Sequence, residues 1–211
     1  MTRINNTVLI ASIAALSGNA LAALPTAHTW PMEHIMVSMD DTYTLHAHAN
    51  TSAANPIEML HFAGETYEGN ASALNDMYYT DQYGWILDGI VDPGAGNSIW
   101  IELVSQTDGL ETYEGGMRMM IGEQTFNPIF GTDSSAANWQ WSGMMTHNWY
   151  AAAQLGDYEA TYSIYVGDSA GNAVDGYSAG EVTLNFRAVP TPAPMALLGL
   201  GSLVATRRKR G

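Results

Sequence analysis

The segment Tyr158-Glu159-Ala160-Thr161-Tyr162-Ser163-Ile164-Tyr165-Val166 alternates strictly. Tyr158, Ala160, Tyr162, Ile164 and Val166 fall on one side; Glu159, Thr161, Ser163 and Tyr165 fall on the other. Side chains of a strand project to opposite faces in turn, so this is the pattern of a half-buried antiparallel strand. Gly180–Phe186 repeats it, with Val182, Leu184 and Phe186 inward. The same period recurs in short runs along the chain, and no window of a dozen residues carries helical periodicity. The strands predicted are His34–Met39, Thr42–Ala49, Glu58–Ala63, Gly84–Leu87, Ser98–Gln106, Gly116–Ile121, Gly143–His147, Asp157–Val166 and Gly180–Phe186. Gly, Asn, Asp and Pro separate them, as at Asp40-Asp41, Asn50–Pro56, Asp92–Asn97 and Gly167–Gly176. Many short strands with frequent turns predict an all-β fold. The expectation is a single-domain, immunoglobulin-like antiparallel β-sandwich closed by the 157–166/180–186 hairpin.

The two ends read differently from this body. Arg3, the apolar run Val8–Leu16 and the small-x-small step Ala20-Leu21-Ala22 make residues 1–22 a secretory signal peptide. At the other end, Val189-Pro190-Thr191-Pro192-Ala193-Pro194 stiffens the chain before the apolar run Ala196–Ala205. Arg207-Arg208-Lys209-Arg210 follows. The apolar run is about half of the roughly 20 residues that span a bilayer, and its basic end would stay cytoplasmic. A weak span with a positive stop suits a transient anchor. This tripartite tail, residues 190–211, resembles the PEP-CTERM sorting signal, with Thr191 where that signal has Glu. The resemblance implies a Gram-negative bacterium, an exosortase-type sorting enzyme as partner, and a destination at the cell surface or in the extracellular matrix.

Residues 23–189, about 167 in all, are left for the β-sandwich domain, enough to bury a core. All 21 acidic residues lie there, against only Arg118 and Arg187, a net charge of −19. Such a surface repels nucleic acid and anionic lipid. There is no cysteine, so disulfides, thiolate metal ligands and thiol nucleophiles are excluded.

Six histidines remain in the body. His46-Ala47-His48 places two imidazoles on one face of a strand. A two-residue turn at Asp40-Asp41 would set His34 opposite Ala47, one position from each. That register leaves His34 on the other face, and a slip or a bulge is needed to bring the three together. His147, in Met144-Met145-Thr146-His147-Asn148-Trp149, is the fourth candidate. Neutral imidazole suits zinc. His34-x-Met36, Met59-x-His61 and Met144-Met145-x-His147 also mix imidazole with thioether, which favours copper(I) as an alternative.

Glu33-His34-Ile35-Met36-Val37, Tyr43–His48, Ile99–Ser105 and Gly156–Tyr162 together resemble the choice-of-anchor M surface-anchored domain. The resemblance implies metal handling at the cell surface. Met36, Met144 and Thr146 stand where that family has an aspartate and two histidines.

No G-x-S-x-G, H-E-x-x-H, P-loop or dinucleotide fingerprint occurs. The loop Asp168–Gly176 has the oxygen-rich look of a calcium loop but lacks its closing Glu, and reads as a hairpin turn. The expectation is therefore a non-enzymatic, envelope-anchored protein binding a transition metal, zinc before copper, through His34, His46, His48 and His147. Two rivals stand beside it. One is a structural or adhesive matrix protein without metal. The other is a carbohydrate-binding module stacking sugars of the envelope or extracellular polysaccharide on Trp139 and Trp141.

Overall fold

The computed structural model describes residues 24–28 and 32–190. The expected signal peptide, residues 1–22, and the expected sorting tail beyond Pro190 lie outside the described residues. Among these, twelve strands and three short 3-10 helices occur, and no helix is long and apolar enough to cross a membrane. The chain is all-β.

The organising strand is β10, Thr146–Ala152. One of its edges pairs with β7, Leu110–Gly116. Its other edge is shared. Thr146 and His147 pair with β5 (Tyr83–Leu87), whereas Tyr150 to Ala152 pair with β4 (Tyr78–Thr80). Only Asp81 and Gln82 separate β4 from β5, so the sheet forks there into two wings. From β5 the order runs through β1 (Glu33–Met39) to β2 (Leu45–His48). From β4 it runs through β3 (Ile57–Leu60), β12 (Gly180–Val189), β11 (Gly156–Gly167) and β6 (Ser98–Gln106) to β9 (Asn138–Trp141). The remaining strand, β8 (Pro128–Ile129), pairs only with β7.

The inner faces of the wings meet through large aromatic rings. Trp85 on β5 lies 5.8 Å from Tyr162 and 6.3 Å from Trp141, ring centre to ring centre. Phe186 on β12 lies 5.2 Å from Tyr83 and 4.8 Å from Tyr150. These rings are fully or almost fully buried, and the edge-on pairs Trp85–Tyr162 and Tyr83–Phe186 add specific attraction to the area they bury. A smaller cluster, Tyr67, Leu74, Tyr79, Phe126 and Trp149, covers the outside of β10.

The alternation read in the sequence places β11 and β12 correctly. Nine Cα pairs join them, from Gly156↔Ala188 to Ile164↔Gly180. Three expectations are corrected. The sheet is mixed, because β1 and β5 are parallel, as are β3 and β12. The segment Gly116–Ile121 is not a strand. Residues Arg118–Glu123 form a 3-10 helix, and the strand lies upstream at Leu110–Gly116, where Thr112 and Tyr113 are buried. Finally, the β1/β2 turn is longer than a two-residue Asp40-Asp41 turn. The Asp40 carboxylate accepts the Thr42 and Thr44 backbone N–H groups at 2.9 and 3.0 Å and fixes a wider loop. Tyr43 takes a left-handed conformation within it. Val37 then faces Ala47 and Ser38 faces His46, and His34 stands beyond the end of β2 rather than opposite Ala47.

Candidate metal-binding face

The wider turn has a useful effect on the histidines. Ile35 and Val37 of β1 are buried in the core, as are Leu45 of β2 and Trp85 of β5. The intervening residues therefore project outward. Met36 pairs with His48, Ser38 with His46, and His34 with Gly84. On the far side of Gly84 stands His147. All four predicted histidines lie on the same outer face, across β2, β1, β5 and β10.

They are not equally close. His34 and His147 lean toward one another over Gly84, with ring centres 6.4 Å apart. The absence of a side chain at Gly84 is what permits this, since a Cβ there would come within 2.5 Å of His147 Cε1 and 2.6 Å of Nε2. Gly115, on β7, is equally constrained from the opposite edge: its Cβ would collide with the His147 carbonyl oxygen. The β7/β10 register shifts between His147 and Trp149, and the Asn148 side-chain oxygen accepts the Gly115 N–H at 3.1 Å. Such a bulge re-aims a side chain relative to the regular pleat.

His147 is 1% exposed. Its Nδ1 lies 2.9 Å from the Asp81 carbonyl oxygen, which can only accept, so the proton sits on Nδ1 and the Nε2 lone pair is left available. Burial pushes its pKa below the ordinary histidine value, against the pull of the Asp81 carbonyl and carboxylate, and keeps the ring neutral at pH 7. A ring nitrogen bonded to a backbone carbonyl is also the usual outer-shell support of a metal-ligating histidine. Across Gly84, His34 Nε2 is buried with no hydrogen-bond partner among the described residues.

His46 and His48 are exposed on β2. His46 Nε2 lies 3.0 Å from the Asp40 carboxylate and so supports the turn. The turn's N–H and hydroxyl groups hold Asp40 well below the usual carboxylate range. Among the described residues, no three of His, Cys, Asp and Glu converge on one point. The structure thus brings together His34 and His147, sets His48 beside Met36, and leaves His46 to Asp40.

The residues beneath the pair were not singled out from the sequence. The Asp81 carboxylate, 1% exposed, accepts Arg118 Nε at 2.7 Å and Nη2 at 3.3 Å, and the His28 backbone N–H at 2.9 Å. His28 Nδ1 stands 3.4 Å from the same oxygen, too long for a strong hydrogen bond. Burial raises the Asp81 carboxyl, yet His28 and Arg118 outweigh it and hold it below the ordinary value. One signal was available: Arg118 is one of two basic residues in a body with 21 acidic ones, so a committed partner was to be expected.

The tryptophan pair does not form an open platform. Trp141 is 2% exposed and donates to the Met144 carbonyl, and Trp139 donates to Glu114 while packing on Phe130. Asp168 turns its carboxylate onto Ala170 and Asn172 within its own loop. No protein-family model matches this sequence, and no curated protein matches it significantly.

Proposed function

We propose that this is an exported, envelope-anchored, non-enzymatic protein. In this reading its body is an immunoglobulin-like β-sandwich that binds one transition-metal ion, zinc in the first instance, on the outer face of β1, β5 and β10. His34 and His147 hold the ion, and His48, opposite Met36, stands apart from them. One observation carries the reading: a buried Nε2 of His34, without a hydrogen-bond partner among the described residues, beside a His147 whose other nitrogen is already tied to a carbonyl. A buried polar atom without a partner is costly, and a bound cation would supply the missing interaction. The tail beyond Pro190 would serve as the sorting signal read by an exosortase-type enzyme.

The test is metal content by mass spectrometry on the purified full-length protein after equilibration with zinc. About one ion per chain is expected, lost in His34→Ala and retained in His46→Ala. Equal metal in both variants would sink the assignment. Removal of residues 191–211 should release the protein from the envelope while leaving its metal content unchanged.

A further inference from the structure

The identity of the ion can be taken further, and the argument rests on the His34–His147 reading. Structural zinc sites use four protein ligands and catalytic sites three. Here no third His, Cys, Asp or Glu joins the pair among the described residues. The nearby Asp81 carboxylate is already committed to Arg118 and His28.

Geometry points the same way. Two imidazoles sharing an ion at metal–nitrogen distances of about 2.0–2.1 Å place their ring centres about 5.2 Å apart at a tetrahedral angle and about 6.4 Å apart when collinear. The observed 6.4 Å is at the upper limit of that span, so one ion between these rings as they stand takes a wide nitrogen–metal–nitrogen angle. Near-linear and three-coordinate arrangements are common for a filled-shell monovalent ion and unusual for zinc.

The neighbouring side chains are thioethers. Met36 stands two residues from His34 on the same face and directly opposite His48. Met145 stands two residues ahead of His147. The large exposed apolar side chains include Met117, Met119, Met120, Met144 and Met145. Met117–Met120 directly follow Gly116, the partner of His147, and Met144 and Met145 directly precede β10. Both groups therefore sit at one end of the β7/β10 pair, next to the two imidazoles. Thioethers are soft ligands that select copper(I) over zinc.

We propose that the outer face of β1, β5 and β10 is a copper(I) site, formed by His34, His147 and the thioether of Met36, with the exposed methionines around His147 as its approach. The test uses full-length protein without oxygen. Copper(I) is supplied as its bis-bicinchoninate complex, and zinc is measured separately against a chromophoric chelator. The protein should withdraw one copper(I) per chain and hold it far more tightly than zinc. Met36→Leu, close in volume, should weaken copper(I) by roughly tenfold or more while leaving zinc affinity and the melting temperature unchanged. His34→Ala should abolish copper(I) binding. Zinc held more tightly than copper(I), or copper(I) binding indifferent to Met36→Leu, overturns this proposal and leaves the histidine pair standing. Failure to bind either ion overturns both.

Discussion

Replacing Gly84 with alanine tests the histidine pair without removing either histidine. Gly84 is not in a left-handed conformation, so alanine meets no backbone penalty there. The new methyl would instead fall 2.5 and 2.6 Å from two atoms of the His147 ring. That ring is buried, bonded to Asp81 and backed by the bulge at Asn148, so it has little room to swing. Overpacking of this kind costs about 1–3 kcal/mol. Loss of the Nδ1–carbonyl bond adds about 0.5–1.5 kcal/mol. Relief of glycine's backbone entropy in a strand returns about 0.5–1 kcal/mol. The net expectation is a loss of about 2 kcal/mol, or roughly 4–8 °C in melting temperature for a domain of this size. Metal binding should fall with it. Thermal denaturation followed by circular dichroism, with metal titration on the same samples, reads both. In the His147→Ala background the cost of Gly84→Ala should shrink, because the clash has been removed. A Gly84→Ala protein as stable as the parent, with undiminished metal binding, would refute the placement of His147 over Gly84.

Two further outcomes follow from the buried ion pair beneath. Arg118→Ala leaves a carboxylate buried with only His28 beside it, and should cost about 3–5 kcal/mol in a urea titration; a loss below about 1 kcal/mol would mean that Asp81 finds water instead. The Asp81 carboxyl is held below its ordinary value, so its contribution is complete above the unfolded value near 3.9 and is lost as pH falls through the lower folded one. Unfolding midpoints should therefore drop on acidification below about pH 4, and drop less steeply in Asp81→Asn.

The strands that pack on one face only were legible in the sequence. In β11, Ala160, Tyr162 and Ile164 alternate with Glu159, Thr161 and Ser163, because one face meets the core and the other meets solvent. β10 gave no such signal. All seven of its residues are buried, since Tyr150 and Ala152 face one cluster and Trp149 and Ala151 the other. Its sequence therefore does not alternate, and its span was read as starting early and ending early. β4 escaped notice because three residues leave no period to detect. The four histidines were found by residue type, but their grouping depended on the β1/β2 register. That register was set by Asp40 binding backbone N–H groups two and four residues onward, a detail that strand patterning does not carry. Asp81 was missed for a related reason. Its partners, Arg118 and His28, are 37 and 53 residues away, and only the fork between β4 and β5 brings them to it.

The position of β12 bears on how this body would take a mechanical load. It is the last strand of the described chain, yet it lies inside the sheet rather than at a rim. β11 runs antiparallel along one side of it and β3 parallel along the other. A pull on Pro190 along the strand axis therefore meets nine paired positions on one side and four on the other, all strained together in shear. A rim strand pulled in the same direction would be held along one side only. Resistance to pulling is governed by the rate of unfolding rather than by equilibrium stability. A domain tethered through this end would hold under flow or tugging until the whole strand slid at once.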